Sequence, residues 1–346
     1  MVRPFDLRDL ALVRRLGERG VWLHTVSALV ENVHPLRGAL ISMVVGGEFP
    51  TFVWKPDTGE RDGFVQLRMS HSGPQAFVLY ISPRCDGPQD GNGNLAAPRT
   101  DHAKGDYGGF HSAEVSAWLP LLDEAVAEVG RRGVHHLIAE TDEHGPELPI
   151  LRRAGFAVYT RQDIWAAAAA DYRPQGTAAR KLQRRHAADD WDVQLLYANT
   201  VPRLVQLVEP TPLISEGENW VLRSHGELAA FVTLRHGPSA GWLRFFIHPD
   251  AESEADEIVA AALEVAFERE PERVYCCVRR YESWLPSALS RSGFTITASQ
   301  AVMVRHTVHY LPRALPEAAV ALDGQRIPVS SPMIRQFRRP EPPGDK

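Results

Sequence analysis

One short segment of this chain occurs twice. The residues RRAGFAVYTRQDI at 152–164 return, with changes, as SRSGFTITASQAV at 290–302, and Gly293 lies 138 residues after Gly155. Both copies have Gly-Phe at the same place and a glutamine at the same distance after it. In each copy a short helical stretch precedes the glycine and a strand-like stretch follows it. A helix end and a strand that recur together predict a chain built from two copies of one unit.

The residues upstream of each copy extend the repeat. Strands that end at a proline are predicted at 76–83 and 241–249, and a Gly-Pro turn with a further strand precedes each of them. An amphipathic helix follows in each half, with apolar residues three or four positions apart. Next comes an apolar strand, HHLIAET in the first half and VYCCVRR in the second. This order of elements predicts a duplicated α+β domain.

The domain borders follow from the repeat. We predict a first domain, a long glycine-rich insert within it, a linker, a second domain and a tail, at 1–168, 84–111, 169–190, 191–311 and 312–346. The alanine-rich and then basic run at 166–190 is interpreted as an exposed connecting helix or tether. The tail has the proline and charge content of a disordered or surface-draped end.

Two details of the long helices are open to test. The first helix contains Pro120, which either kinks it or marks its first turn. The second begins with Ser253 followed three residues later by Asp256, a spacing that predicts a capping box.

Composition excludes several classes of function. The net charge of -5 gives no electrostatic footprint for nucleic acid, and no apolar run approaches the ~20 residues that span a bilayer. The charged residues 1–17 do not form a signal-peptide core. Cys85 stands alone, and the adjacent Cys276 and Cys277 are interpreted as small buried apolar residues in a reducing compartment. We therefore expect a cytoplasmic protein with no nucleic-acid or membrane partner, and the oligomeric state stays open.

A strand ending in Ile-x-Pro, a helix, a strand and a short helix ending in Gly-Phe together resemble the GCN5-related N-acetyltransferase (GNAT) fold. The resemblance covers nearly all of 1–170 and again 190–311. It implies two tandem domains, each with a mixed, mostly antiparallel sheet flanked by helices. In this family two central strands splay apart, and acetyl-pantetheine lies in the wedge between them like an added strand. The pyrophosphate of coenzyme A rests on the N-terminus of the long helix.

The resemblance also implies a chemistry. Acetyl-CoA is the expected co-substrate, and a substrate amine attacks its thioester. A carboxylate or a water chain takes a proton from the amine, and a tyrosine or a similar donor protonates the leaving thiolate. The family's common tyrosine is replaced in both halves, by Leu151 and Leu289, which are interpreted as core residues.

Both halves depart from the family's phosphate loop, Arg/Gln-x-x-Gly-x-Gly/Ala. In the first half only Gly91 fits the expected register. In the second half the register is acidic, with Glu252, Glu254, Asp256 and Glu257. Carboxylates favour the positive end of a helix and would repel a pyrophosphate there. We therefore predict that the second domain does not bind coenzyme A in the usual way.

The first half keeps more candidates for cofactor binding. Glycines near the end of its insert either form a substitute anion-binding turn or belong to a flexible surface loop. The predicted coenzyme A contacts are Ile81, Ser82, Gly108, Gly109, Phe110, His111 and Ser112. No metal site is expected, because the possible ligands follow no known spacing. These possible ligands are Asp101, His102, Asp106 and His111.

Candidate catalytic residues lie on the two splayed strands of the first half. Glu140 and Asp142, with His144 beside them, end the second splayed strand, where a carboxylate would serve as general base. The alternative is a solvated turn. Tyr80 on the other splayed strand is the third candidate, and its alternative role is in the core. The second half differs at the corresponding place, where it has Arg279, Arg280 and Glu282.

Two functions remain open from the sequence. The first is an N-acyltransferase that moves an acetyl or acyl group from acyl-CoA to a small-molecule or peptide amine, with the first domain active. The second is a non-catalytic tandem module that binds a small molecule or a protein. The degenerate motifs favour the second function, whereas the fold favours the first. Transfer of an amino acid from aminoacyl-tRNA is a third reading, which the acidic net charge disfavours.

Overall fold

The structure is a computed structural model of the 346-residue chain, in which Met1–His309 form one compact unit. The residues that it describes are 1–31, 33–45, 47–56, 62–70, 73–85, 112–173, 182–212, 217–224 and 226–307. The predicted tail and most of the predicted insert lie outside these ranges.

The first half follows the predicted order of elements. Its strands are β1 (Val2–Pro4), β2 (Val21–Trp22), β3 (Thr51–Trp54), β4 (Gly63–Met69), β5 (Gln75–Ser82), β6 (His136–Asp142) and β7 (Ala157–Ala168). Its helices are α1 (Leu10–Leu16), α2 (Thr25–Leu29), α3 (Pro35–Val45), α4 (Ser112–Arg131) and α5 (Glu147–Arg153).

The second half repeats that order with fewer elements before its central strands. Its strands are β8 (Gln183–Arg184), β9 (Glu218–Ser224), β10 (Glu227–His236), β11 (Ala240–Ile247), β12 (Arg273–Arg279) and β13 (Thr295–His306). Its helices are α6 (Asp190–Thr200), α7 (Arg203–Gln206), α8 (Ala255–Phe267) and α9 (Leu285–Arg291).

All these strands join one continuous mixed sheet. Its order is β1-β3-β4-β5-β6-β13-β7-β12-β11-β10-β9-β8, with β2 paired to β5 as well. The last strands of the two halves are exchanged: β13 lies between β6 and β7, and β7 pairs with β12. Each half therefore completes the sheet of the other, which a chain of two separate domains would not require. The domain borders at 168 and 191 stay a prediction.

A pseudo-twofold axis passes through the centre of this sheet. Gln162 and Gln300 occupy equivalent places in the repeat, and they are direct partners in the antiparallel pairing of β7 with β13. Nε2 of Gln162 donates to Oε1 of Gln300 at 2.8 Å. The glutamine that the repeat shares thus marks the point where the two copies meet.

One face of the sheet carries two helix-covered cores. In the first half α4 packs Trp118, Leu121 and Leu122 against the strands, and in the second half α8 packs in the same way. Leu151 and Leu289 are both fully buried in these cores, so their interpretation as core residues is confirmed. Cys276 and Cys277 are buried free thiols, as the sequence predicts for small apolar residues, and Cys85 is buried as well.

The backbone conformation explains why both copies of the repeat have a glycine at this place. Gly155 and Gly293 end α5 and α9 with φ of +81° and +87°. That left-handed region is strained for residues with a Cβ atom, and a glycine there ends a helix without strain.

Each half opens the wedge that the resemblance implies. The parallel pairing of β5 with β6 runs only from Gln75 and His136 to Phe77 and Ile138, after which the strands diverge. The pairing of β11 with β12 likewise stops at Leu243 and Cys276.

Several sequence details need correction. The capping box at Ser253 is wrong, because a 3-10 turn (Pro249–Glu254) that opens on a proline precedes α8, which begins only at Ala255. Pro120 lies well inside α4 and does not mark its first turn. The alanine-rich run is not a helix at its start, because Ala166 and Ala167 are buried in β7. Within the predicted linker, β8 already pairs with β9.

Among the described residues, no helix has both the length and the apolar character needed to cross a bilayer.

Candidate functional site

The wedge of the first half is filled by the chain itself. Residues 19–25, here called the plug segment, run antiparallel along the edge of β5, with Val21 opposite Ile81. The amide of Leu23 donates to the carbonyl of Leu79 at 3.1 Å, and the amide of Glu140 on β6 donates to the carbonyl of Leu23 at 2.8 Å. The plug segment therefore bridges the two splayed strands as an added strand.

The fit of the plug segment is tight. A Cβ atom on Gly20 would lie 2.4 Å from the carbonyl oxygen of Ile81 and 2.5 Å from the ring of Tyr80, so only glycine fits there. Leu23 has no exposed surface. The amide of Thr25 donates to Oε2 of Glu140 at 2.6 Å.

The predicted residues of β5 all support this arrangement. The hydroxyl of Tyr80 accepts from the amide of Gly20 at 2.7 Å and donates to the carbonyl of Gly17 at 2.8 Å. Burial raises the pKa of Tyr80 to about 12, which makes the phenol a poorer proton donor. Ser82 donates to the carbonyl of Leu16 at 2.9 Å. The backbone of Ile81 is paired with Val21. These side chains hold α1 and the plug segment.

The three predicted catalytic residues are not brought together. Glu140 lines the large central cavity described below. Asp142 is exposed, and its Oδ1 accepts from the amide of His144 at 2.7 Å, as in the solvated turn given as the alternative. Tyr80 is buried in a cluster with α1.

Most of the predicted phosphate-binding residues are not described. Gly108, Gly109, Phe110 and His111 lie outside the described residues, as do the remaining possible metal ligands Asp101, His102 and Asp106. Ser112 is the first residue of α4. Among the described residues, no group of His, Cys, Asp and Glu side chains has a metal-binding arrangement.

The start of α8 is acidic, as the sequence indicates. Asp250 and Glu252 lie in the 3-10 turn before the helix, and Asp256 and Glu257 lie in its first turn. Asp256 is paired with Arg291 at 2.7 Å, and the other acids are exposed. A pyrophosphate at this helix start would meet carboxylates, so this half does not fit coenzyme A. The first half does not fit it either, because the plug segment occupies the place of the pantetheine arm.

A central cavity of about 170 Å³ lies between the two halves, on the sheet face opposite the cores under α4 and α8. Strands of both halves line it, together with the loop at 209–212. Its charged lining residues are Arg68, Glu140, Glu209, Arg235, Arg244 and Arg279. Glu140 and Arg279 were candidates from the sequence, whereas the other four lie on strands or a loop that only the fold brings together.

Glu209 is the centre of a buried charge cluster in this cavity. It accepts from the hydroxyl of Tyr159 at 2.6 Å, from Arg244 at 3.0 Å and from Arg279. Burial alone would raise the pKa of Glu209, but Arg279 and Arg244 hold it at about 2. The carboxylate is therefore ionised at neutral pH and holds both guanidinium groups in place.

A second charge cluster lies beside the plug segment. Arg68 donates to the hydroxyl of Ser27 at 2.8 Å and to the carboxylate of Glu31. Arg235 lies 3.9 Å from the other oxygen of Glu31. His24 is buried against Phe77, and burial together with Arg68 lowers the pKa of His24 to about 3. His24 is therefore neutral at pH 7.

Glu282, which follows β12, is a buried ionisable group near the end of the second splayed strand. Its Oε2 accepts from the amide of Arg279 at 2.8 Å. Burial raises the pKa of Glu282 to about 7, although Arg244 opposes that shift. The carboxyl therefore titrates near neutral pH.

The fold and this pair of wedges define the class of the protein: it has the GNAT fold in tandem. A solved structure of a GCN5-related N-acetyltransferase from Sphaerobacter thermophilus is similar with a TM-score of 0.53 and 11% identity, over 89% of this chain and 95% of that chain. A tandem GNAT protein from the clavulanic acid biosynthesis pathway is similar with a TM-score of 0.48 and 11% identity, over 89% of this chain and 98% of that one. No family model and no curated protein matches the sequence. At this identity the likeness defines the fold alone.

Proposed function

We propose that this protein is a small-molecule-binding module built on a tandem GNAT fold, and that it does not transfer acyl groups from coenzyme A. The plug segment carries the proposal. Through its bonds to Leu79 and Glu140, Leu23 holds the strand position that the acyl-pantetheine arm takes in this fold. Displacing it would expose a fully buried leucine and break backbone hydrogen bonds on both splayed strands.

The second half supports the same proposal. The carboxylates before and within the first turn of α8 would be brought close to the pyrophosphate of a cofactor at that helix start. Like charges at such a distance oppose binding. Among the described residues, the central cavity is a site that strands of both halves line together.

An acyltransferase is the second candidate, and Glu140 favours it. This carboxylate lies at the meeting point of the first wedge and the central cavity, where a general base would act on an amine. In this candidate the first half is the active one, it takes an acetyl or longer acyl group from acyl-CoA, and the acceptor is a small-molecule or peptide amine. It requires the plug segment to leave the wedge.

Calorimetric titration of the intact protein with acetyl-CoA separates the two candidates. We expect no binding at millimolar cofactor, and no release of free thiol when a panel of amines is added. Micromolar binding together with thiol release would replace the binding module by the acyltransferase.

Two variants locate the cause of that result. Leu23→Ala weakens the plug segment, whereas Leu204→Ala makes the same change at an exposed position. Binding of acetyl-CoA by Leu23→Ala alone would identify the plug segment as what keeps the cofactor out. We also propose a cytoplasmic location, because the buried free thiols of Cys276 and Cys277 suit a reducing compartment.

A further inference from the structure

The charge of the central cavity points to the kind of molecule that it holds; this inference rests on the proposed binding function. Four arginines line the cavity, whereas the carboxylates in it or paired to its arginines are Glu31, Glu140 and Glu209. These seven side chains together carry one positive charge in excess, inside a chain whose net charge is -5. A ligand with one negative charge would balance it.

The hydrogen bonds of Arg279 give a second observation, which is independent of the charge count. Only 5% of its side chain is exposed, and its Nη2 donates to Glu209. Its Nε and Nη1 atoms are buried and have no hydrogen-bond partner among the described residues. The Nε atom of Arg244 is in the same situation. Buried donors without partners are costly, by about 1–3 kcal/mol each, so an acceptor belongs beside them.

The rest of the cavity limits the size and polarity of that acceptor. Phe77, Ile138 and Trp242 give it apolar walls close to the arginines. Its volume of about 170 Å³ is slightly larger than that of an apolar cavity of roughly 150 Å³ that accepts benzene. A ring or branched chain of that size with one acidic group would fill the space and meet the charge.

We propose that the central cavity binds a small monocarboxylate with an apolar body, and that its carboxylate accepts hydrogen bonds from the donors that Arg279 and Arg244 leave without partners. Guanidinium groups match carboxylates in geometry and charge. Glu209 keeps both guanidinium groups oriented before the ligand arrives, which lowers the ordering cost of binding.

Benzoate is the probe, and benzamide is its neutral counterpart of the same shape. We expect benzoate to raise the unfolding temperature of the full-length protein in proportion to log concentration above its Kd, and benzamide to have no effect. Inorganic phosphate tests whether a bare anion is enough. Equal stabilisation by benzamide, stabilisation by phosphate alone, or no stabilisation by millimolar benzoate would overturn the proposal.

Two neighbouring arginines provide a matched pair of variants. Arg279→Lys keeps the charge beside Glu209 but loses donors, and we expect benzoate affinity to fall at least 10-fold. Arg280→Lys makes the same change at the adjacent residue, which is paired with Glu143 at the surface, and we expect benzoate affinity to stay the same. If both variants lose affinity equally, the site is not at Arg279. If Arg279→Lys fails to fold, Thr233→Leu tests the same cavity by filling it, and unchanged benzoate affinity there would contradict the proposal.

The acetyl-CoA titration keeps this inference separable from the proposed function. If benzoate binds and acetyl-CoA is turned over, the carboxylate site is supported and the proposal of a non-catalytic module is wrong. If neither benzoate nor acetyl-CoA binds, the monocarboxylate proposal is wrong, whereas the proposal of a non-catalytic binding module stands.

Discussion

The two halves share one fold, but the second splayed strand of each half has a different hydrogen-bond partner. In the first half a backbone strand fills the gap, and Leu23 bonds to both of its sides. In the second half the amide of Arg279 bonds to the side chain of Glu282 instead. Arg279 lies just past the point where β12 leaves β11. The amide on the second splayed strand therefore bonds to main chain in the first half and to a buried carboxylate in the second.

A few residues explain that difference. The turns before α1 and α6 correspond, because the amides of Asp6 and His186 both donate to an aspartate three residues on. Counted from those turns, Gly20 corresponds to Thr200 and Trp22 to Pro202. Glycine allows the close approach to Tyr80, which the Cβ atom of a residue such as threonine would prevent. The second half accordingly continues into α7, with Pro202 just before it.

The largest expected effect concerns the exchanged strands. Expressed alone, neither 1–173 nor 182–307 should give a cooperatively folding monomer, because each lacks a strand that the other supplies. Co-expression of the two fragments should restore a 1:1 complex, measurable by light scattering and thermal unfolding. A stable folded monomer from either half would show that the exchange is not needed.

Leu23→Ala should cost the folded protein about 2–5 kcal/mol, because it removes a fully buried leucine from the first wedge. Leu204→Ala, in the corresponding segment of the second half, should stay within about 0.5 kcal/mol, because Leu204 is 71% exposed. Urea unfolding of both variants gives the two values. Equal losses would mean that the two segments do not differ as the structure indicates.

The two wedges should respond to pH in opposite directions. The pKa of His24 is about 3 in the folded protein against an ordinary 6.5, so the unfolded chain takes up the proton first and stability falls as the pH drops from 6.5 towards 3. The pKa of Glu282 is about 7 against an ordinary 4.5, so the unfolded chain loses the proton first and stability falls as the pH rises from 4.5 to 7. Each slope is at most about 1.4 kcal/mol per pH unit.

Urea unfolding between pH 4 and 8 measures these slopes. Glu282→Gln should remove the decline on the alkaline side, and His24→Gln should remove the decline on the acid side. If Glu282→Gln leaves the profile unchanged, the carboxyl is not buried as described.

The smallest effect should be the same in both halves. Gly155→Ala and Gly293→Ala each place a Cβ atom on a left-handed residue at a helix end, which costs about 1–2 kcal/mol. Neither added Cβ would meet an atom closer than 3.5 Å, so backbone strain is the main cost in both cases. Unequal losses would show that the two helix ends are not equivalent.

Some features of the core and of the candidate site could be predicted from the sequence, and others could not. The sequence correctly identified Leu151 and Leu289 as core residues and correctly placed acidic residues at the start of α8. Glu140 was placed beside the wedge, where it does lie. The plug segment was missed, since its pairing to β5 joins residues about 60 positions apart that carry no shared pattern.

By itself the sequence determined what is local or repeated: the alternation of strands and helices, the apolar helix faces, the glycines at two helix ends and the duplication. These follow from spacing along the chain. The tertiary structure alone decided that β7 and β13 change places, that residues 19–25 close one wedge, and that arginines from four strands meet around Glu209 and Glu31. Such contacts depend on which strands lie side by side, and the periodicity of a single strand carries no record of its neighbour.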